Sequence, residues 1–319
     1  MLKLFDSHCH LQDHRISNVV PKLIRTTLDN SVVYFAVNGT SEKDWPVVKE
    51  MSDSYPCILP SFGIHPLWVA ERNPNWFSTL KDFFEANPCA AVGEIGLDKG
   101  TRGKKVDFAD QIEIFQQQLQ LAKGLNRPAS VHCVRAFGDL LPVMKSLGPF
   151  PAGVILHSYL GSAEMVPEFA KLGAYFSFSG YLMFLKESKA KKMLKSVPAD
   201  RILLETDAPD GLPKADNLDS LFYIENDSSF PEDHNVEVQN AAPINGSSSN
   251  STCCDAKSSS AVLSETLNHP ANIKTVLAYV ASLLDVNQEE LADLTYENAS
   301  RLFSYEGSKL IPKGQVHNS

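Results

Sequence analysis

Residues 90–98, AAVGEIGLD, and residues 128–133, PASVHC, flank an amphipathic stretch from Asp110 to Asn126 in which Ile112, Phe115, Leu119, Ala122 and Leu125 recur at helical spacing. Both short runs are apolar on both faces, as strands become when helices cover a parallel sheet on either side. The local reading is strand, helix, strand. Gly124 near the end of the helical stretch and Pro128 just beyond it mark its stop.

The alternation extends in both directions. LKLFD from Leu2, VVYFAVNG from Val32 and ILPSFGIHP from Ile58 precede this unit, and AGVILHS from Ala152, GAYFSFSG from Gly173 and RILLETDAP from Arg201 follow it. Eight strand candidates alternating with helices predict an α/β protein, closed most simply into a (β/α)8 barrel of TIM type. An open doubly wound sheet is the rival, and the missing Gly-rich dinucleotide fingerprint after the first strand counts against it. Helical periodicity returns in ANIKTVLAYVASLLDV and QEELADLTYENASRLF, which predicts C-terminal helices.

The 319 residues carry 29 Lys plus Arg against 38 Asp plus Glu, a formal charge of -9, so no global basic field holds a polyanion. Any nucleic-acid chemistry must come from a local site. Residues 214–265 hold -7 of that charge, and their second half, NGSSSNSTCCDAKSSS, is a Ser/Asn tract that cannot bury enough apolar area to offset its ordering entropy. The expected organisation is one barrel domain over 1–304, interrupted by a disordered acidic insertion at 214–265 and followed by a flexible tail at 305–319. Mean hydropathy is -0.16, and no apolar run approaches the roughly 20 residues of a membrane helix. Cys9, Cys57, Cys89 and Cys133 sit singly in apolar runs and read as reduced, buried thiols, whereas the adjacent Cys253 and Cys254, with no partner pair, read as inert. The start turns polar at Asp6, too early for a secretory leader, so a cytosolic or nuclear compartment is expected and the Asn245 and Asn250 glycosylation matches read as chance.

Asp6, His8 and His10 alternate on the first strand, which predicts a carboxylate and two imidazoles on one side. Six of the eight strand candidates end in an ionisable group, the others being His65, Glu94, His132, His157 and Asp207. Barrel sites are assembled from the C-terminal ends of several strands, so these positions are expected to converge. Imidazoles with carboxylates suit divalent metal ions, and Glu94 is the best candidate to bridge two of them. On the last strand Asp207 is expected to reach a metal while Glu205 sits one layer deeper, either supporting the ligands or making an inward salt bridge.

Taken together, FDSHCHL from Phe5, GIHP from Gly63, VGEIGLD from Val92, RPASVHC from Arg127, ILHSYLGS from Ile155, RILLETDAP from Arg201 and LTYENASRLF from Leu294 make the chain resemble the TatD-type metal-dependent deoxyribonucleases of the amidohydrolase-like barrel superfamily. The resemblance covers nearly the whole chain outside the insertion. It implies a 3′ to 5′ exonuclease acting on DNA with two divalent ions, Mg²⁺ first and Mn²⁺ or Zn²⁺ as alternatives. It implies that His8, His10, Glu94 and Asp207 hold one ion and Glu94, His132 and His157 the other, with Asp207 also orienting or deprotonating the attacking water. His65 and Ser158 fall where a substrate phosphate could be contacted. The chain departs from the pattern after GLD, where Lys99, Arg102, Lys104 and Lys105 form a basic cluster read either as a solvated loop or as a phosphate contact through Lys99. It departs again after ETDAP, where relatives carry an arginine-containing segment and this chain has the acidic insertion.

Two other functions stay open on the residues: a barrel hydrolase of a small ester, amide, lactone or aminoacyl ester, and a barrel scaffold that binds a partner through the insertion. The residues do not fix the oligomeric state.

Overall fold

The computed structural model describes residues 2–215, 220–224 and 266–310. Eight parallel strands run β1 (Leu4–Cys9), β2 (Val32–Asn38), β3 (Ile58–Phe62), β4 (Ala91–Asp98), β5 (Ala129–Val134), β6 (Val154–Leu156), β7 (Ala174–Phe178) and β8 (Ile202–Leu204). Each pairs with the next in sequence order. The helices between them are α1 (Val20–Asp29), α2 (Trp45–Ser54), α3 (Trp76–Ala86), α4 (Phe108–Leu125), α5 (Phe137–Leu147), α6 (Val166–Lys171) and α7 (Glu187–Ser196); α8 (Ile273–Leu284) and α9 (Gln288–Leu302) follow β8. All eight expected strands and both C-terminal helices are present, and the sheet curls into a nearly closed TIM barrel. The seam between β1 and β8 is bridged by Asp207 N–H donating to the His8 carbonyl at 3.0 Å and His10 N–H donating to the Ala208 carbonyl at 2.7 Å.

The helix expected over 110–126 begins two residues earlier, because the Asp107 side chain caps it by accepting from Asp110 N–H. It ends on Asn126 in the left-handed conformation (φ 52°), so asparagine closes the helix and Gly124 lies within it.

The lower interior is closed from outside the sheet. Phe5, Leu59, Ile155, Tyr175 and Leu203 pack against Ala299, Leu302, Phe303 and Tyr305, with Phe5 stacked on Phe303 at 5.1 Å. This corrects the start of the expected tail at 305–319, because Tyr305 and Ser308 are buried and Lys309 and Leu310 partly so. Tyr305 is buried and its hydroxyl donates to the Cys89 carbonyl at 2.7 Å, and Lys309 Nζ donates to the Ile58 carbonyl at 2.9 Å. The insertion also starts later than expected, since Phe222 exchanges hydrogen bonds with the Asn272 side chain at 2.9 and 2.8 Å and Tyr223 bridges to Asn268. These contacts are to residues about fifty positions away, which composition does not reveal. Cys253, Cys254 and the Asn245 and Asn250 motifs lie outside the described residues. Cys9 is buried, while Cys57, Cys89 and Cys133 are partly exposed. No helix among the described residues is long and apolar enough to cross a membrane.

A chain ending at Ser304 loses the Tyr305 and Lys309 contacts and opens the barrel floor. Removing a buried aromatic costs about 3 to 5 kcal/mol, so its melting midpoint should fall by roughly 6–12 °C, read by calorimetry against the full chain.

Candidate metal centre

The site is a cavity of about 1,110 Å³ at the C-terminal ends of the strands. Its base is a carboxylate, Glu94, in the middle of β4 and only 2% exposed. Two glycines make room for it. Gly93 (φ 146°) and Gly96 (φ 145°) let β4 approach β5 so closely that a Cβ at 96 would lie 2.0 Å from the His132 carbonyl oxygen.

Glu94 presents its two oxygens to different neighbours. Oε2 lies 3.3 Å from His10 Nε2 and 3.7 Å from His8 Nε2, and Asp207 Oδ1 lies 3.5 and 3.7 Å from the same two nitrogens. Oε1 lies 2.7 Å from His157 Nε2, 2.9 Å from His132 Nδ1 and 3.4 Å from His65 Nε2. Around these atoms the imidazoles are oriented from behind. His10 Nδ1 donates to the Asn38 carbonyl at 2.9 Å, His8 Nδ1 lies 2.7 Å from Ser130 Oγ, and His132 Nε2 lies 3.2 Å from Asp98 Oδ2. The nitrogens left over face the carboxylate oxygens. Lone pairs converging in a buried pocket repel unless a proton or a cation stands between them. An ion about 2.1 Å from each donor requires donor separations of roughly 3.0–3.4 Å, close to those found, so the residues fit divalent metal ions. His157 Nδ1 and Glu205 Oε2 are buried without a hydrogen-bond partner.

The structure therefore gathers His8, His10, Glu94, His132, His157 and Asp207 into one cluster, with His65 at its edge. His65 also caps the turn after β3, its Nδ1 accepting from Leu67 N–H at 3.1 Å. Ser158 lines the cavity with a left-handed φ of 42°, and both its N–H and Oγ donate to Glu205 Oε1 at 2.7 Å. Glu205 is fully buried, with its Oε1 3.6 Å from His157 Nδ1.

Two expected site residues lie elsewhere. The alternation along β1 is interrupted by a register shift between Asp6 and Cys9, and Asp6 turns to β8, where its carboxylate accepts from Thr206 N–H at 2.9 Å and Thr206 Oγ1 at 2.5 Å. Lys99 pairs with Asp139 at 2.7 Å and lies over the Phe108 ring, and it does not line the cavity. Sequence reasoning missed Asp98 and Ser130. Their signal was strand periodicity, since Asp98 is four residues beyond Glu94 and Ser130 two before His132.

Burial sets the charge states, and the carboxylates then divide the imidazoles. Burial lowers His8 to about 3 and His65 to about 4, so both are neutral at pH 7. Burial also opposes charge on His10, but Glu94 and Asp207 outweigh it and push His10 up to about 9. His157 is likewise raised, through Glu94 and Glu205 against burial. Glu94 stays ionised, because the surrounding imidazoles overcome its burial, whereas burial raises Asp207 to about 7 and Asp6 to about 8. Metal ligation requires neutral imidazole. His132 is raised as well, by Asp98 and Glu94 against burial, so His10, His132, His157 and Asp207 all favour their protonated forms more than usual, and divalent-ion binding should release protons and tighten as pH rises from about 6 toward 9. Calorimetric titration in buffers of different ionisation enthalpy measures this. Ser130→Ala should weaken metal binding about 10- to 100-fold while leaving the melting curve nearly unchanged, because it removes only the partner of His8 Nδ1.

Comparison with known proteins agrees with this geometry. Residues 5–304 match the family described as TatD related DNase. YabD of Bacillus subtilis, an uncharacterized metal-dependent hydrolase, is 28% identical over 300 residues, covering 94% of this chain and 98% of the relative. The 3′-5′ ssDNA/RNA exonuclease TatD of Pantoea vagans is 28% identical over 214 residues, covering 66% of this chain and 81% of the relative. The crystal structure of YJJV, a TatD homologue from Escherichia coli K12, shares the fold, with a TM-score of 0.74 at 22% identity over 95% of this chain and 98% of that one. A family match spanning almost every described residue, over a barrel whose mouth gathers imidazoles and carboxylates, shows that this chain belongs to the TatD family of metal-dependent hydrolases.

Proposed function

We propose that the chain is a phosphodiesterase that shortens DNA from its 3′ end, using two divalent ions, with Mg²⁺ as the expected metal. The observation that carries this reading is the division of Glu94, whose Oε2 faces His8 and His10 while its Oε1 faces His132 and His157. A carboxylate that gives one oxygen to each of two donor sets is what a pair of ions sharing a bridge requires. On this reading His8, His10, Glu94 and Asp207 hold one ion, and Glu94, His132 and His157 the other.

Divalent ions so held supply Lewis acidity toward phosphate oxygens and lower the pKa of an attacking water. The chain's own groups do the rest. Asp207 lines the cavity and faces the same imidazole nitrogens as Glu94, where its carboxylate would orient an attacking water and accept its proton. Its left-handed backbone (φ 55°) lets it leave the line of β8 and face the imidazoles across the seam. Glu205 accepts from the Ser158 N–H and hydroxyl and so fixes the loop after β6 from within, while His65 lines the cavity where a phosphate would lie. The acidic charge of the chain is no obstacle, since bound ions are the largest local charges in such a site. The activity in the name of the Pantoea relative supports a nucleic-acid end as substrate.

The test uses metal-stripped protein, a 5′-labelled single-stranded DNA and its RNA counterpart, with Mg²⁺, Mn²⁺ or Zn²⁺ added separately. The expected result is a metal-dependent ladder that shortens from the 3′ end of the DNA. Glu94→Gln should lower the rate at least about a thousandfold, and Asp207→Asn at least about a hundredfold. No cleavage with any metal, in protein shown to bind two ions, would sink the phosphodiester reading and move the weight to small-molecule hydrolysis.

A further inference from the structure

Outside the imidazole cluster, the described residues lining the cavity include five with basic side chains. Three are engaged: Arg15 between Asp13 (2.8 Å) and Asp210 (3.0 Å), Lys43 with Glu71 (2.7 Å), and His14 beside Asp13 (3.5 Å). Arg102 and Arg135 are exposed on the cavity wall, and neither has an ion-pair partner among the described residues. Two adjacent loops carry them. Arg102 follows β4 and Arg135 follows β5, and Lys99 N–H donates to the Val134 carbonyl at 2.8 Å, tying the loops together.

Both loops are fixed rather than free. Asp98 Oδ1 accepts from Gly100 N–H at 2.5 Å, and Gly103 packs so tightly that a Cβ there would lie 2.2 Å from the Asp98 carbonyl oxygen. Arg135 has φ 55°, a left-handed conformation that costs an arginine about 1 kcal/mol or more. A strained backbone that presents an unpaired guanidinium to a cavity beside a metal centre is an arrangement with a use. Guanidinium forks match phosphate oxygens, and two on one wall can hold a single phosphate from two sides. Arg135 is only three residues beyond His132, a span of at most about 10 Å, and Arg102 is four beyond Asp98. The pair therefore lines the same cavity as the cluster that faces the reacting phosphate, on the loops that follow the strands of Glu94 and His132.

We propose that Arg102 and Arg135 form a clamp for the backbone phosphate next to the one being cleaved, which makes them specificity-determining residues for substrates with at least two phosphodiester groups. The inference rests on the phosphodiesterase reading for the identity of the reacting group, but the clamp can be read separately through binding.

The experiment compares the metal-loaded wild type with the Arg102→Gln/Arg135→Gln double variant, which keeps side-chain length and removes both charges. The substrates are a labelled thymidine trinucleotide with two backbone phosphates and bis(p-nitrophenyl) phosphate with one. The expected result is a rise in KM for the trinucleotide of roughly ten- to a hundredfold, with less than a twofold change in KM for the one-phosphate diester and little change in kcat for either. An Arg135→Lys variant should fall between wild type and double variant, because it keeps the charge and loses the fork. Equal effects on both substrates, or none on the trinucleotide, overturn the clamp. If the wild type cleaves neither substrate, the phosphodiesterase reading fails, and fluorescence anisotropy of the uncut trinucleotide decides the clamp alone. Salt-dependent binding that weakens at least tenfold in the double variant supports it, and equal or absent binding in both proteins rejects it.

Discussion

The barrel seam is the constraint on which the site depends. Strands β1 and β8 are joined through the backbone of the residues that carry the chemistry, with Asp207 N–H on the His8 carbonyl and His10 N–H on the Ala208 carbonyl. Closing the barrel and bringing the His8 and His10 imidazoles to the Asp207 carboxylate are therefore one event. Ser7 adds a side-chain link to the same seam, its hydroxyl donating to the Leu204 carbonyl at 2.9 Å, and Asp6 clasps Thr206 beside it. The cost of burying Asp6 appears in its pKa, raised to about 8 even though both Thr206 hydrogen bonds pull it down.

Electrostatics then separates roles among similar groups. Five imidazoles lie around Glu94, and burial alone would make all of them neutral. Position relative to the carboxylates decides otherwise: His8 and His65 stay neutral, while His10, His132 and His157 are pushed toward holding protons. A cluster with this charge pattern is a set of donors held together by protons, and metal ligation would require the imidazoles to give them up. The partners behind the imidazoles, Asn38, Ser130 and Asp98, fix which ring nitrogen faces the carboxylates.

Much of this was legible along the chain. Apolar runs alternating with helical stretches specified the eight strands, and ionisable residues at strand ends marked His65, Glu94, His132, His157 and Asp207, because only the mouth of a barrel tolerates such groups in otherwise apolar strands. Asp6 supports the site from behind and does not face it, because β1 shifts register between Asp6 and Cys9 and its carboxyl reaches Thr206, the neighbour of Asp207. For Lys99 the sequence left a solvated loop and a phosphate contact open, because the partner that engages it, Asp139, is forty residues away on α5. Residues 305–310 were taken for tail because nothing local to them signals that their contacts lie on the opposite end of the barrel from the site.

By itself, the sequence determined the periodicities and the inventory: which segments are strands or helices, and which donor atoms stand at their ends. Local sterics and the pairing of apolar faces act over a few residues, so these are written in neighbouring positions. The tertiary structure decided which oxygen of Glu94 faces which imidazole, which histidines keep a proton, and that Arg15, Lys43 and Lys99 are paired while Arg102 and Arg135 face the cavity. Each of these depends on distances of a few ångströms between residues up to two hundred positions apart. Coulomb energy and desolvation follow those distances, and separation along the chain does not encode them.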